Sequence, residues 1–280
     1  MRKLAKPLDD PELVFLTCIS RVKDTDLKSR LISIKAAIVI AANEFETAAS
    51  TTMIHTVKPQ DDVSKIVTKQ EMLDVYTNRM AKKDAPGRSI YNKLLNAPAH
   101  GRCPLCGQRI VSTLDHHLPK SEYPALAVVP TNLVPACSDC NKTKINSIPT
   151  CADQETIHPY FDDIETDLWL YAEVDEGSPP VLKFFVKPPQ NWDIVKSNRV
   201  KYHFKIFELS KLYTSHAATE LVNIQNRLSQ LFSKTGCLEV SAHLSEEAKS
   251  RESAYLNSWQ AAMYKALAVN SWYCSGGFDK

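Results

Sequence analysis

The 280-residue chain lacks a strong net charge: 34 Lys and Arg offset 32 Asp and Glu, leaving +2 at neutral pH. Any affinity for nucleic acid must therefore come from local patches rather than from a global field. A long apolar run is also missing. The longest, Ala36 to Ala42, falls far short of the roughly 18 residues a membrane span needs, which argues against a membrane partner. The opening MRKLAKPLDD has no apolar stretch behind its basic residues, so a secretory signal is not expected. There is no internal repeat and no low-complexity segment, which argues against a repeat architecture. What remains is an ordinary globular composition, 44% hydrophobic and 24% charged, long enough for one large domain or two modest ones.

Eight cysteines would suit a disulfide framework only in a secreted chain. Their spacing points elsewhere. Cys103/Cys106 and Cys137/Cys140 form two Cys-x-x-Cys pairs separated by 30 residues. Each pair lets two thiolates reach one ion from a tight knuckle, and two knuckles complete a closed tetrahedral zinc site. A closed shell leaves no open position, so this zinc is expected to be structural. A redox dithiol is the alternative. Pro104 inside the first knuckle and Gly107 just after it suit a sharp turn. The remaining Cys18, Cys151, Cys237 and Cys274 read as small buried hydrophobes, and a reducing cytoplasm is the simplest compartment. The PACSDC segment superficially resembles a zinc deaminase turn. An alanine follows Pro135, however, and no His-x-Glu exists in the chain, so that chemistry is excluded.

Residues 10–100 read as mostly helical. Leu27, Leu31, Ile34, Ile38, Ala41, Phe45 and Ala48 step by threes and fours along one helix face, widened by Ile32, Val39 and Ile40. That face suits core packing; its three heptads are short for a dimeric coiled coil. Further helices are expected over Val67–Lys83, Ile90–Leu95 and Lys142–Ile148. Trp169–Val174 and Val181–Val186 predict a β-hairpin around Asp175-Glu176-Gly177-Ser178. From Asp193 the spacing is helical again, including a stretch over Ser241–Leu267, and the aromatic tail SWYCSGGFDK is expected to dock on the body.

Between the cysteine pairs, RIVSTL is expected to run as a strand into Asp115-His116, and Asn132-Leu133-Val134 to return as a second. Asp139 is placed to cap a following helix that carries Asn141. On a strand end His117 points away from His116, which favours packing over chemistry for His117. With its order and spacing, the segment CPLCGQRIVSTLDHHLPKSEYPALAVVPTNLVPACSDCNKTK resembles the HNH, or His-Me finger, endonucleases over about 45 residues.

That resemblance implies roles. His116 would be the general base that deprotonates water, and an imidazole titrates near the working pH. Asp115 and Asn141 would hold one divalent cation, Mg²⁺ or another, which would neutralise charge on the scissile phosphate. Asn132 would bond loop backbone so that His116 is aimed. The expected products are a 5′-phosphate and a 3′-hydroxyl. Lys120, Lys142 and Lys144, with Arg102 and His158, are candidate substrate contacts. Trp169 and Tyr160 read as core.

The expected fold is therefore α+β and predominantly helical. A small ββα-metal HNH module with a four-cysteine zinc site (99–162) would lie between an N-terminal helical region (1–98) and a hairpin plus C-terminal helices (163–280). DNA is the favoured substrate. The wording PKS-x-YP, NL-x-x-x-C-x-x-CN and HPYF is also similar to stand-alone bacterial HNH proteins. These include the nuclease of Septu-type anti-phage systems, which implies an ATPase partner. The alternatives are an RNA-cleaving toxin or effector, and a zinc-stapled nucleic-acid-binding module without catalysis.

Overall fold

The computed structural model describes residues 1–144 and 148–280. They form two compact units, Met1–Asp163 and Ile164–Lys280. The described residues contain eleven α-helices and three antiparallel strand pairs, so the fold is α+β and predominantly helical.

The first unit begins with α1 (Pro11–Ile19), α2 (Thr25–Ser33) and α3 (Lys35–Ser50). Asp10 and Asp24 cap α1 and α2 by accepting from Leu13 N and Leu27 N, each satisfying a backbone donor that the helix start leaves unpaired. The long helix expected over residues 27–48 is broken at Ile34, whose N–H turns to Leu31 O in a tighter 3₁₀ bond. Leu31, Ile34, Ile38, Phe45 and Ala48 are buried as the periodicity requires. Ile32 and Ile40 are exposed, so the widened face does not exist.

A two-residue ladder, β1 (Asp62–Val63) with β2 (Val67–Thr68), precedes α4 (Lys69–Tyr76), so the helix expected from Val67 starts two residues later. Thr68 and Glu71 form a capping box that starts α4. Residues 77–81 then continue as a π-turn, ending near the expected Lys83, before α5 (Arg88–Leu95). β3 (Thr113–His116) pairs antiparallel with β4 (Leu133–Ala136) in the register Asp115↔Val134 and His116↔Leu133. α6 (Ser138–Lys144) follows directly. The expected helix over Lys142–Ile148 thus starts earlier, and residues 145–147 lie outside the described residues.

One apolar core runs from Val14 through α3 and α4 to Leu133, with Phe45 and Leu118 fully buried. α5 packs on both β3 and β4, and α3 packs on the loop at Pro124–Leu126. The helices before residue 99 therefore wall the ββα module.

In the second unit, β5 (Leu170–Asp175) and β6 (Val181–Val186) form the expected hairpin. Helices α7 (Ile194–Ile206), α8 (Leu209–Thr235), α9 (Cys237–Ala254), α10 (Trp259–Val269) and α11 (Ser271–Cys274) complete it. Ser258 caps α10, so the stretch expected over Ser241–Leu267 is two helices. Gly236, at φ +82°, separates α8 from α9 in a conformation few other residues tolerate. The tail docks as expected: Tyr273 and Phe278 are buried with rings 5.7 Å apart. Among the scattered cysteines, Cys18 and Cys274 are buried, but Cys151 and Cys237 are exposed. Among the described residues no helix is long and apolar enough to cross a membrane.

Candidate active site and metal centre

The four knuckle cysteines converge. Their sulfurs all lie within 4.8 Å of one another and all four residues are buried. A tetrahedral zinc with bonds of about 2.3 Å needs sulfur–sulfur separations of roughly 3.8 Å, so the cluster fits the ion. Backbone amides of Arg109 and Cys140 donate to Cys106 Sγ and Cys137 Sγ at 3.4 Å, supporting negative charge on those sulfurs. Mutual hydrogen bonding pulls the Cys106 and Cys137 thiols down, led by Cys103, and pushes Cys103 and Cys140 up, led by Cys106 and Cys103 respectively; a bound cation would deprotonate all four. Gly107 takes φ +68° to close the first knuckle, and Arg2 N donates to Pro104 O at 2.8 Å, so the N-terminus runs along it.

β3 delivers Asp115 and His116 from its last two positions. His116 is buried, and its Nε2 lies 2.9 Å from Ala127 O. A carbonyl only accepts, so Nε2 carries the proton and Nδ1 keeps the lone pair of a base. Burial, with the Lys120 and Lys144 charges, pushes the imidazole down to about 3, which keeps it neutral. The Tyr76 ring meets it edge-on, centroids 4.4 Å apart.

His117 turns to the other side, packing against His158 at 4.2 Å and Phe45 at 6.3 Å, while its N–H donates to Asn132 O. Asn132 is fully buried and spans the loop: Oδ1 accepts from Leu118 N at 2.8 Å, and Nδ2 donates to Leu118 O and Leu126 O. These bonds hold the Leu118–Leu126 loop whose next residue, Ala127, orients His116.

Asp115 is buried, and desolvation pushes its carboxyl above the usual range, partly offset by Lys144. Lys144 Nζ donates at 2.8 Å to Asp115 Oδ2, His116 O and His117 O. Lys144 was expected to meet a phosphate backbone. It is 5% exposed, and its three donors are matched by these three oxygens, so it is a buried tie instead. His158 is likewise buried and cannot meet a substrate from there; its Nδ1 accepts from Tyr160 N at 3.2 Å. Asp139 is not a cap but lies in the first turn of α6, paired with Arg109 at 2.8 Å.

Asn141 is partly exposed on α6, the helix whose Lys144 reaches Asp115 on β3. An oxygen donor set of one carboxylate and one amide suits Mg²⁺, which keeps most of its waters. Lys144 holds Asp115 Oδ2, and a hydrogen bond from the His116 backbone also supports this carboxylate. Lys120 is half-buried with its Nζ 5.0 Å from the centre of the Tyr76 ring, and Lys142 is exposed. Arg102 is exposed and donates to Gln108 O. Trp169 and Tyr160 are core, as expected. Tyr76 and the Ala127 carbonyl were not found from the sequence, because neither belongs to a recognisable spacing with Asp115-His116.

A pair of antiparallel strands, a helix and a zinc-competent cysteine cluster around an Asp-His define a nuclease-type ββα module. Residues 103–147 match the family model of the HNH endonucleases, so this segment is an HNH endonuclease domain. Along almost its whole length the chain is also similar to Protein ea31 of Escherichia phage lambda. The identity is 26% over 288 residues, covering 96% of this chain and 97% of that protein. No solved structure matches the chain.

Proposed function

We propose that the protein is a metal-dependent endonuclease that hydrolyses phosphodiester bonds, with DNA as the favoured substrate. The observation that carries the reading is His116: a neutral imidazole with Nε2 committed to Ala127 O, in the residue next to Asp115 of an HNH domain. Nδ1 of His116 takes a proton from a water molecule, whose oxygen attacks phosphorus. The bond to the 3′ oxygen breaks, leaving a 5′-phosphate and a 3′-hydroxyl. Asp115 and Asn141 would hold the divalent cation, which supplies charge neutralisation at the phosphate when bound. Asn132 holds the loop that orients His116. Lys142 is exposed and would contact a backbone phosphate of the substrate.

The four-cysteine site serves as a zinc staple and takes no part in the chemistry. This cysteine usage supports a reducing, cytoplasmic setting. A role in anti-phage defence beside an ATPase rests on the PKS-x-YP and NL-x-x-x-C-x-x-CN wording.

Plasmid nicking with Mg²⁺, with and without EDTA, tests the reading. Wild type is expected to nick only without chelator, and His116→Ala to lose at least about 1000-fold. Full activity in His116→Ala would overturn the assignment; inactivity of both proteins would favour a binding module. Labelled DNA and RNA panels, with and without an ATPase encoded beside the gene, identify substrate and partner.

A further inference from the structure

Tyr76 is the last residue of α4, 27 residues before the first zinc cysteine, yet its ring touches the centre of the HNH site. It is buried, its hydroxyl donates to Leu114 O at 3.4 Å, and its ring lies edge-on to His116 at an interplanar angle of 72°. Lys120 Nζ stands 5.0 Å from the centre of this same ring. One aromatic side chain thus holds the candidate base and a cation side by side.

The two nearby lysines differ in their bonding. Lys144 has its three donors matched inside the protein. Among the described residues Lys120 has no ion pair, although it is half-buried. A half-buried ammonium set against an aromatic ring and in no ion pair has donors to spare. Its charge acts on both Asp115 and His116, which places it in the electrostatic field of the reacting centre. The chemistry that would complete it is an oxyanion, and a point-charge ammonium suits a non-bridging phosphate oxygen.

Resting on the nuclease reading above, we infer that Lys120 is a catalytic residue that binds the scissile phosphate, and that Tyr76 is the positioning residue which aligns Lys120 with His116. Negative charge on the phosphate oxygens grows as water attacks. A cation held on a rigid ring then binds the transition state more strongly than the ground state. The cation–π contact needs the ring and not the hydroxyl.

Steady-state cleavage by the full-length protein tests this through Lys120→Met, Lys120→Arg, Tyr76→Phe and Tyr76→Leu. Lys120→Met is expected to lower kcat by about 100-fold with KM raised by no more than about tenfold, and Lys120→Arg to recover about tenfold of the kcat loss. Tyr76→Phe keeps the ring and should stay within about threefold of wild type, whereas Tyr76→Leu should lose at least about tenfold. A second measurement does not need turnover. In the His116→Ala background, binding of a duplex DNA or a single-stranded RNA of about 20 nucleotides is followed against salt. Lys120→Met should reduce the log–log slope by about one contact. Wild-type kcat in Lys120→Met beside an inactive His116→Ala would overturn the inference and leave the nuclease reading intact, as would an unchanged salt slope. An active His116→Ala, or binding of neither probe, would overturn both.

Discussion

Lys144 Nζ lies 2.8 Å from Asp115 Oδ2, joining helix α6 to the end of strand β3. Cys140 sits one helical turn before Lys144, and both are buried, so zinc knuckle and ammonium grip the helix on one face. The link carries the position of the cysteine cluster to the Asp115-His116 corner. Removing one partner leaves an uncompensated buried charge. Lys144→Met is therefore expected to cost about 3–5 kcal/mol, and the double variant Lys144→Met/Asp115→Asn to recover part of it. Urea unfolding measures both; a single-variant cost below about 1 kcal/mol would show that the tie is dispensable.

Cysteine and histidine variants should separate folding from chemistry. Cys106→Ser is expected to lose bound zinc and the fold of the module, because such ions contribute about 10–16 kcal/mol to small zinc-dependent folds. His116→Ala should keep wild-type zinc content and circular dichroism while losing cleavage. A folded, active Cys106→Ser protein would contradict the staple.

Asn132→Ala removes hydrogen bonds to Leu118 N, Leu118 O and Leu126 O from a fully buried position. The orphaned groups make a loss of about 3 kcal/mol the expectation. Since Leu126 precedes the carbonyl that orients His116, cleavage should fall further than the folded fraction does. Comparing turnover per folded molecule with unfolding free energy checks this.

Acid stability should depend on Glu71. Its hydrogen bond from Arg30 holds the carboxyl down to about 2, below its ordinary 4.5, and it also closes the capping box of α4. For a depressed carboxylate the stabilisation is complete above the unfolded value and is lost as pH falls through the folded one. The stability gap between wild type and Glu71→Gln should thus shrink from about pH 4.5 down to 2. At neutral pH losing the cap interaction should cost on the order of 1 kcal/mol. Melting temperatures across that range provide the measurement; a constant gap would argue against the pairing.

Local patterns were legible wherever chemistry is written into neighbouring residues. The two Cys-x-x-Cys turns and the hairpin at 170–186 follow from spacing and alternation alone. Asn132 bonds the backbone of Leu118 and Leu126 across its loop. Periodicity did less well at ends and breaks. It ran through Ile34 and through Tyr255–Ser258, because a stripe of apolar residues continues across a turn that two helices share. Charge misled for Lys144, since a lysine on a polar helix reads as solvated until its neighbours are known.

The sequence by itself determined the composition of the site: four thiols at ligand spacing, an Asp-His pair, and asparagines in order behind it. The Cys-x-x-Cys turns and the Asp-His pair are short-range features, and the asparagines follow from their order in one segment of chain. Tertiary structure alone decided the surroundings of the base. Tyr76 and Ala127 reach His116, and Lys144 reaches Asp115, through the packing of α4, a loop and α6 on one strand end. Such contacts arise from burying helix faces against β3 and β4, and burial is non-directional, so no residue spacing records it.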